Sequence, residues 1–295
     1  MMIAVLIDVV RCAAVVARTV LILVFFVLAT GCGAKPATVG SGSTTVVAAF
    51  YPLAYAAEQV GGPAVTVENL TPAGAEPHDL ELTPGDVGDV QRATVVLFLG
   101  RGFQPALEKA VAGRNGRSVD LLAGQELRRG GDPHVWLDPV RYGEIARAVG
   151  AALDRKGAGA SFADRVRRLG ADYRGGLEQC ARHEIVTSHA AFGYLAARYG
   201  LRQVALEGLA PEAEPNPRAV AELVDHVRRT HATTVFFETL VSPKLAQTVA
   251  RAAGVRTAVL NPLEGLTKAE LARGEDYFSI MRANLHVLRQ ALGCR

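Results

Sequence analysis

Short runs rich in β-branched residues alternate with amphipathic stretches along most of the chain. Residues 45–50, 65–70, 94–100 and 118–121 have the length and composition of buried strands. Helical spacing fills the intervals at 52–60, 83–92 and 105–112, with Thr83 as N-cap and Pro84 in the first helical position. The alternation then repeats, with strands at 184–188, 203–207, 234–238 and 256–260 and helices at 190–199, 217–229, 243–253 and 277–292. Strand–helix alternation in two sets predicts an α/β fold of two lobes, each built on a mostly parallel sheet. Between them, residues 139–182 show no strand signal. This stretch reads as helix, broken at 156–160 (KGAGA) and resuming at Ser161 or Phe162, with Leu169, Tyr173 and Leu177 on one face. A helical connection is stiffer than a pair of extended strands, so only modest movement between the lobes is expected.

The N-terminus departs from this pattern. Val20 to Ala29 form an unbroken apolar run, preceded by Arg11 and Arg18 and followed by Thr30 and Gly31. Ten residues cannot cross a hydrocarbon core that needs about 20. The order of charge, apolar run and small residues is that of a secretory signal. LATGC, ending at Cys32, resembles a bacterial lipoprotein cleavage box, which implies lipid attachment at Cys32 and a membrane contact through that anchor alone. The box usually carries Leu three places before the cysteine, where this chain has Ala29. The expected organisation is a signal at 1–31, a lipidated tether at 32–44, a first lobe at 45–138, a linking helix at 139–182 and a second lobe at 183–295.

Composition narrows the function class. The 295 residues are 49% hydrophobic with a net charge of only +3, which excludes a disordered chain. The 32 basic and 29 acidic residues form no basic block, so no nucleic-acid partner is expected. Mean hydropathy is positive, +0.18, and part of it belongs to the export segment. With Cys12 in that segment and Cys32 lipidated, Cys180 and Cys294 remain as one pair in an exported chain. A disulfide between them would staple the C-terminal helix to the body; two separate buried thiols are the alternative.

Of seven histidines, His78 (GAEPHDLELTP), His134 (GDPHVWLDP) and His189 (IVTSHAAFGY) lie at punctuated positions near strand ends, where ligands collect in parallel α/β sheets. Three neutral imidazoles suit zinc, although no local metal motif is present and a lone loop histidine is more often a surface or capping residue. His226, His231 and His286 read as structural, and His183 carries no assignment.

PHDLELTP, DPHVWLDP, TSHAAFGYLAARYGL, PEAEPNP at 211–217, FFETLVSPKLAQTVA and NPLEGL occur in this order. Over residues 45–292 the chain resembles the ZnuA/TroA-like zinc and manganese receptors, the solute-binding lipoproteins of ABC importers. The resemblance implies two α/β lobes joined by a long backbone helix, with one divalent metal in the cleft held by His78, His134 and His189. It further implies a monomer that is not an enzyme, partnered by an ABC permease. Histidine at the third place points to Zn²⁺ over Mn²⁺, with Mn²⁺ as the alternative cargo. Many relatives supply an aspartate where this chain has Asn261, so the fourth ligand is expected to be Asn261, water or Glu238. Glu238 is equally suited to accept an imidazole N–H. The His-rich loop of many zinc members is absent, since 81–132 contain no histidine. Two other readings use the same residues: a zinc hydrolase with Glu238 or Glu76 as base, and a metal-binding adhesin on the same scaffold.

Overall fold

The computed structural model describes residues 44–210 and 217–295. The expected signal, Cys32 and the tether before Thr44 lie outside the described residues, as do residues 211–216 of the PEAEPNP loop.

All eight expected strands form, each within two residues of its expected ends. The strands β1 (Thr44–Ala48), β2 (Val65–Asn69), β3 (Val95–Phe98) and β4 (Arg117–Asp120) make one sheet in the order β2-β1-β3-β4. The strands β5 (Glu184–Thr187), β6 (Arg202–Ala205), β7 (Thr234–Phe237) and β8 (Arg256–Val259) make a second in the corresponding order β6-β5-β7-β8. Every pairing is parallel. In each sheet the chain starts in the middle and builds outward both ways, which leaves a crevice beyond the carboxyl ends of the central strands. Val46, Val47, Val95, Val96, Ile185 and Val186 are almost wholly buried, as expected for strands covered on both faces.

Helices α1 (Tyr51–Gly61), α2 (Pro84–Arg92) and α3 (Pro105–Ala112) accompany the first sheet. Thr83 caps α2 reciprocally: its Oγ1 accepts the Asp86 N–H at 3.2 Å, and Asp86 accepts the Thr83 N–H at 2.8 Å. The connection contains α4 (Pro139–Ala152) and α5 (Lys156–Leu177). Helices α6 (Gly193–Arg198), α7 (Pro217–Thr230), α8 (Lys244–Ala253), α9 (Lys268–Ala272) and α10 (Tyr277–Leu292) complete the chain. The expected break at 156–160 is wrong by a few residues. The chain turns at Leu153–Arg155, with Asp154 at φ 55°, and KGAGA is the first turn of α5. Its glycines serve packing instead. A Cβ on Gly159 would lie 2.8 Å from the Ala146 carbonyl oxygen and 2.9 Å from the Gly150 Cα, so α4 and α5 meet backbone to backbone.

The larger hydrophobic core is continuous from the first sheet through α4, α5 and α10 to Ile185, Phe192, Phe236 and Leu260. A smaller core of Val186, Leu223, Val227, Val235 and Val249 lies under α7 and α8. Three buried tyrosines lock the larger one. Tyr142 donates to the Pro52 carbonyl, Tyr173 to that of Met281 and Tyr277 to that of Trp136, each at 2.7 Å. The two lobes therefore share apolar packing along the helical connection, and no helix among the described residues is long and apolar enough to cross a membrane.

Cys180 and Cys294 form a disulfide that closes 114 residues of sequence separation. Main-chain bonds flank it, from Arg182 N to Leu292 O at 3.0 Å and from Arg295 N to Gln179 O at 3.0 Å. The end of α10 is thus tied to the segment leaving α5. Replacing both cysteines by alanine should lower unfolding free energy by about 2–4 kcal/mol in urea titrations, through the loop-closure entropy returned to the unfolded chain. In the same assay Gly159→Ala should cost about 1–3 kcal/mol by overpacking. Gly175→Ala, with nothing within 4 Å of the added methyl, should be neutral or gain up to about 1 kcal/mol.

Candidate metal centre

The carboxyl ends of both sheets supply the chemistry-bearing loops. His78 lies in a 3-10 turn (Pro77–Asp79) after β2. Gln104 fixes that turn by donating to the Pro77 carbonyl at 3.0 Å, and Phe103 stands edge-on to the His78 ring. His134 follows the β4 loop and leads into a 3-10 turn, Val135–Leu137. His189 comes two residues after β5, with its carbonyl held by Thr187 Oγ1 at 2.7 Å and Gln203 Nε2 at 2.9 Å.

These three histidines converge with a fourth side chain, Glu264, five residues beyond β8. One donor atom from each lies within 4.8 Å of all the others. Glu264 Oε1 is 3.3 Å from His78 Nε2, 3.0 Å from His134 Nε2 and 3.3 Å from His189 Nε2. Four ligands at about 2.0–2.1 Å in tetrahedral geometry are about 3.3 Å apart, and the three carboxylate–imidazole distances are close to that value. His134, His189 and Glu264 are fully buried, and His78 is 10% exposed at its side chain. His189 Nε2 is buried with only the 3.3 Å approach of Glu264 Oε1, and Glu264 Oε2 is buried with no hydrogen-bond partner. Buried polar atoms left open in this way are what a cation would satisfy.

Outer carboxylates orient two of the rings. Asp132 Oδ1 accepts both the backbone N–H of His134 at 3.0 Å and its Nδ1–H at 2.8 Å. Glu238 accepts from His189 Nδ1 and, at 2.6 Å, from Ser188 Oγ. With Nδ1 donating to an outer carboxylate, each ring is oriented with its Nε2 toward the centre. Glu238 therefore stands behind His189, and the donor set closes without it. Burial alone would depress both imidazoles. Hydrogen bonds to Asp132 and Glu264 reverse this and raise His134, while Glu238 and Glu264 raise His189 to about 10. Burial likewise pushes the Glu264 carboxyl up, but its hydrogen bonds to His134, His189 and His78 win and hold it well below the usual range. Glu76 is raised to about 8, by burial first and then by the Glu264 charge.

Asn261, an expected fourth ligand, builds the turn that presents Glu264. Its Oδ1 accepts the Leu263 N–H at 2.7 Å, while its Nδ2 donates to Glu270 Oε1 at 3.1 Å and Thr239 Oγ1 at 3.2 Å. A carboxylate could not donate and would face Glu270, which explains an amide here. Leu263 sits at φ 56°, a left-handed conformation that costs a non-glycine residue about 1–3 kcal/mol. Trp136 Nε1 donates to the Pro262 carbonyl at 2.8 Å and fixes this turn against the His134 segment. The signal for Glu264 lies within NPLEGL: an acidic residue between Leu263 and Leu266 in a Pro/Gly turn, where a buried charge needs compensation. The other histidines stand apart, His226 paired with Glu184 at 2.6 Å and His286 with Gln290 at 2.9 Å.

Comparison with known proteins agrees with this geometry. The family model for the periplasmic component A of zinc-uptake complexes, ZnuA, matches residues 46–291. The zinc-binding lipoprotein AdcA of Streptococcus pneumoniae is 35% identical over 279 residues, covering 84% of this chain and 56% of that protein. This chain thus corresponds to little more than half the length of that relative. The high-affinity zinc uptake system protein ZnuA of Bacillus subtilis is 31% identical over 302 residues, covering 90% of this chain and 94% of that one. The crystal structure of the Zn(II)-bound ZnuA-like domain of S. pneumoniae AdcA superposes with a TM-score of 0.75 at 36% identity, covering 85% of this chain and 99% of that domain. The sheets, the converging donor set and the match over nearly all described residues place this chain in the ZnuA family of metal-binding transport receptors.

Proposed function

We propose that the chain is an exported receptor that captures Zn²⁺ and delivers it to an ABC permease. The observation that carries this reading is the buried His78–His134–His189–Glu264 set, drawn from loops of both sheets. Three nitrogens and one oxygen suit Zn²⁺ better than Mn²⁺, which favours oxygen-rich octahedral sites. Four protein donors fill a tetrahedral shell, whereas a zinc hydrolase keeps a position open for water. That favours a carrier over an enzyme. Residues 1–31 would serve as the export signal, Cys32 as the lipid attachment point and 32–44 as the tether, placing the receptor on the outer face of the cytoplasmic membrane. The structural units would be a first lobe at 45–138, the helical connection at 139–182 and a second lobe at 183–295, acting as a monomer.

Elemental analysis of protein purified without added metal should find about one zinc per chain, and titration of metal-free protein against a chromophoric chelator should favour Zn²⁺ over Mn²⁺. His189→Ala and Glu264→Ala should each weaken zinc binding by about 100-fold or more, exceeding the 10–100-fold typical of outer partners. Unchanged affinity in either variant would remove the site.

Binding should also release protons. His134 and His189 are raised in the metal-free chain, so they hold protons that zinc must displace. Affinity should accordingly keep rising with pH through and above neutrality, by about tenfold per pH unit for each proton displaced. Isothermal titration at pH 6, 7 and 8 in buffers of different ionisation enthalpy checks both the slope and the proton count; a plateau above pH 6.5 would contradict it.

A further inference from the structure

We propose that Tyr194 is a positioning residue that clamps the loop carrying His134 to the element carrying His189, and thereby limits the rate at which bound metal escapes. The inference builds on the metal-receptor reading.

Tyr194 lies on α6, five residues after His189, and is almost fully buried. Its hydroxyl donates to the Asp132 carbonyl at 2.8 Å and accepts the Arg128 N–H at 2.9 Å. Both partners belong to the loop between β4 and His134, so one phenol joins the second sheet's loop to the first sheet's loop. Asp132 in turn fixes both the backbone and the ring of His134. A continuous path therefore runs from the His189 segment through Tyr194 and Asp132 to His134, parallel to the path through the metal centre.

Two features show that this contact is built closely. A Cβ on Gly193 would lie 2.9 Å from both Arg128 Nε and Asp132 Oδ2, so a larger residue there would have to displace these two loop side chains. The loop itself contains consecutive left-handed glycines, Gly130 at φ 85° and Gly131 at φ 76°. Such a backbone has the most freedom to lose, and it depends on outside contacts for order. The Tyr194 ring is held separately, with the Arg141 guanidinium 4.6 Å and that of Arg128 5.9 Å from its centroid. Removing only the hydroxyl thus keeps the ring packed while freeing the loop. His134 can then leave the metal as a first step of release.

The test compares Tyr194→Phe with Tyr173→Phe in the full-length chain. Tyr173 also donates one buried hydroxyl to a main-chain carbonyl, that of Met281, and its hydroxyl makes no contact with the donor set. Zinc transfer to an excess of chelator should be about 10-fold or more faster in Tyr194→Phe and unchanged in Tyr173→Phe, following the size of effect known for outer partners. Wild-type release from Tyr194→Phe, or equal acceleration in both variants, overturns the clamp. In the metal-free chain, amides of residues 128–134 should exchange with deuterium faster in Tyr194→Phe than in wild type; equal exchange also overturns it. Failure of the wild type to take up zinc would sink the receptor reading, and the exchange experiment would still decide the clamp.

Discussion

Glu264 Oε1 sits between the Nε2 atoms of His78, His134 and His189, and none of its side chain reaches solvent. A carboxylate removed from water is sustained only by strong compensation. Three imidazoles provide it, and the same contacts that depress Glu264 raise His134 and His189. The raised His134 and His189 favour protons that balance the carboxylate in the metal-free chain, and a divalent cation would do so in their place. The centre is thus arranged for exchange of protons against metal with little change in local charge.

The backbone around that carboxylate is organised to hold it. Leu263 adopts a left-handed conformation, and Asn261, Asn284 and Trp136 keep it there. Asn284 bonds both the N–H and the carbonyl of Asn261, at 2.9 Å and 2.7 Å, while Trp136 holds the next carbonyl, that of Pro262. Trp136 is two residues from His134, so the segment that carries one ligand also secures the turn that carries another. The Arg198 guanidinium grips Asp138 at 2.8–3.0 Å further along the same segment. The His134 region is therefore tied to the second sheet's elements, although it follows the first sheet in sequence.

This cross-fastening bears on how the molecule works. Large hinge motion would break the shared core along α4, α5 and α10 together with these hydrogen bonds, at a cost far above that of loop rearrangement. His78 is the most accessible of the four donors. It rests on a short turn held by Gln104 and Glu76, and its ring joins the other donors through Glu264 Oε1 at 3.3 Å. On the proposed receptor reading, capture and release of a metal would be local events at the cleft rim, played against a stiff frame.

Much of the architecture is legible in short-range patterns of the chain. Buried parallel strands announce themselves as β-branched runs, and the Thr83 cap and Pro84 read directly because helix starts have local chemistry. His78, His134 and His189 stand out because each interrupts a periodic segment with Pro or Gly nearby. KGAGA misleads a local reading, because glycine breaks an isolated helix but also lets two helices touch. Only the packing of Gly150 on Gly159 decides between these. The fourth candidate donor is hidden in the same way: Asn261, Glu238 and water are the local expectations, but Asn261 is committed to the turn and Glu238 stands behind His189, while Glu264 lies with the three histidines. That carboxylate enters the centre because the chain reverses at Leu263 and because Asn261 commits its amide to the reversal. The two sheets and the helical connection thus follow from neighbouring residues alone, since periodicity is a short-range property, whereas punctuation only nominates the three histidines and the family resemblance groups them. Which oxygen joins the histidines, and which loops are fastened across the cleft, depends on contacts between residues 60 or more positions apart, such as Arg198 with Asp138 and Trp136 with Pro262.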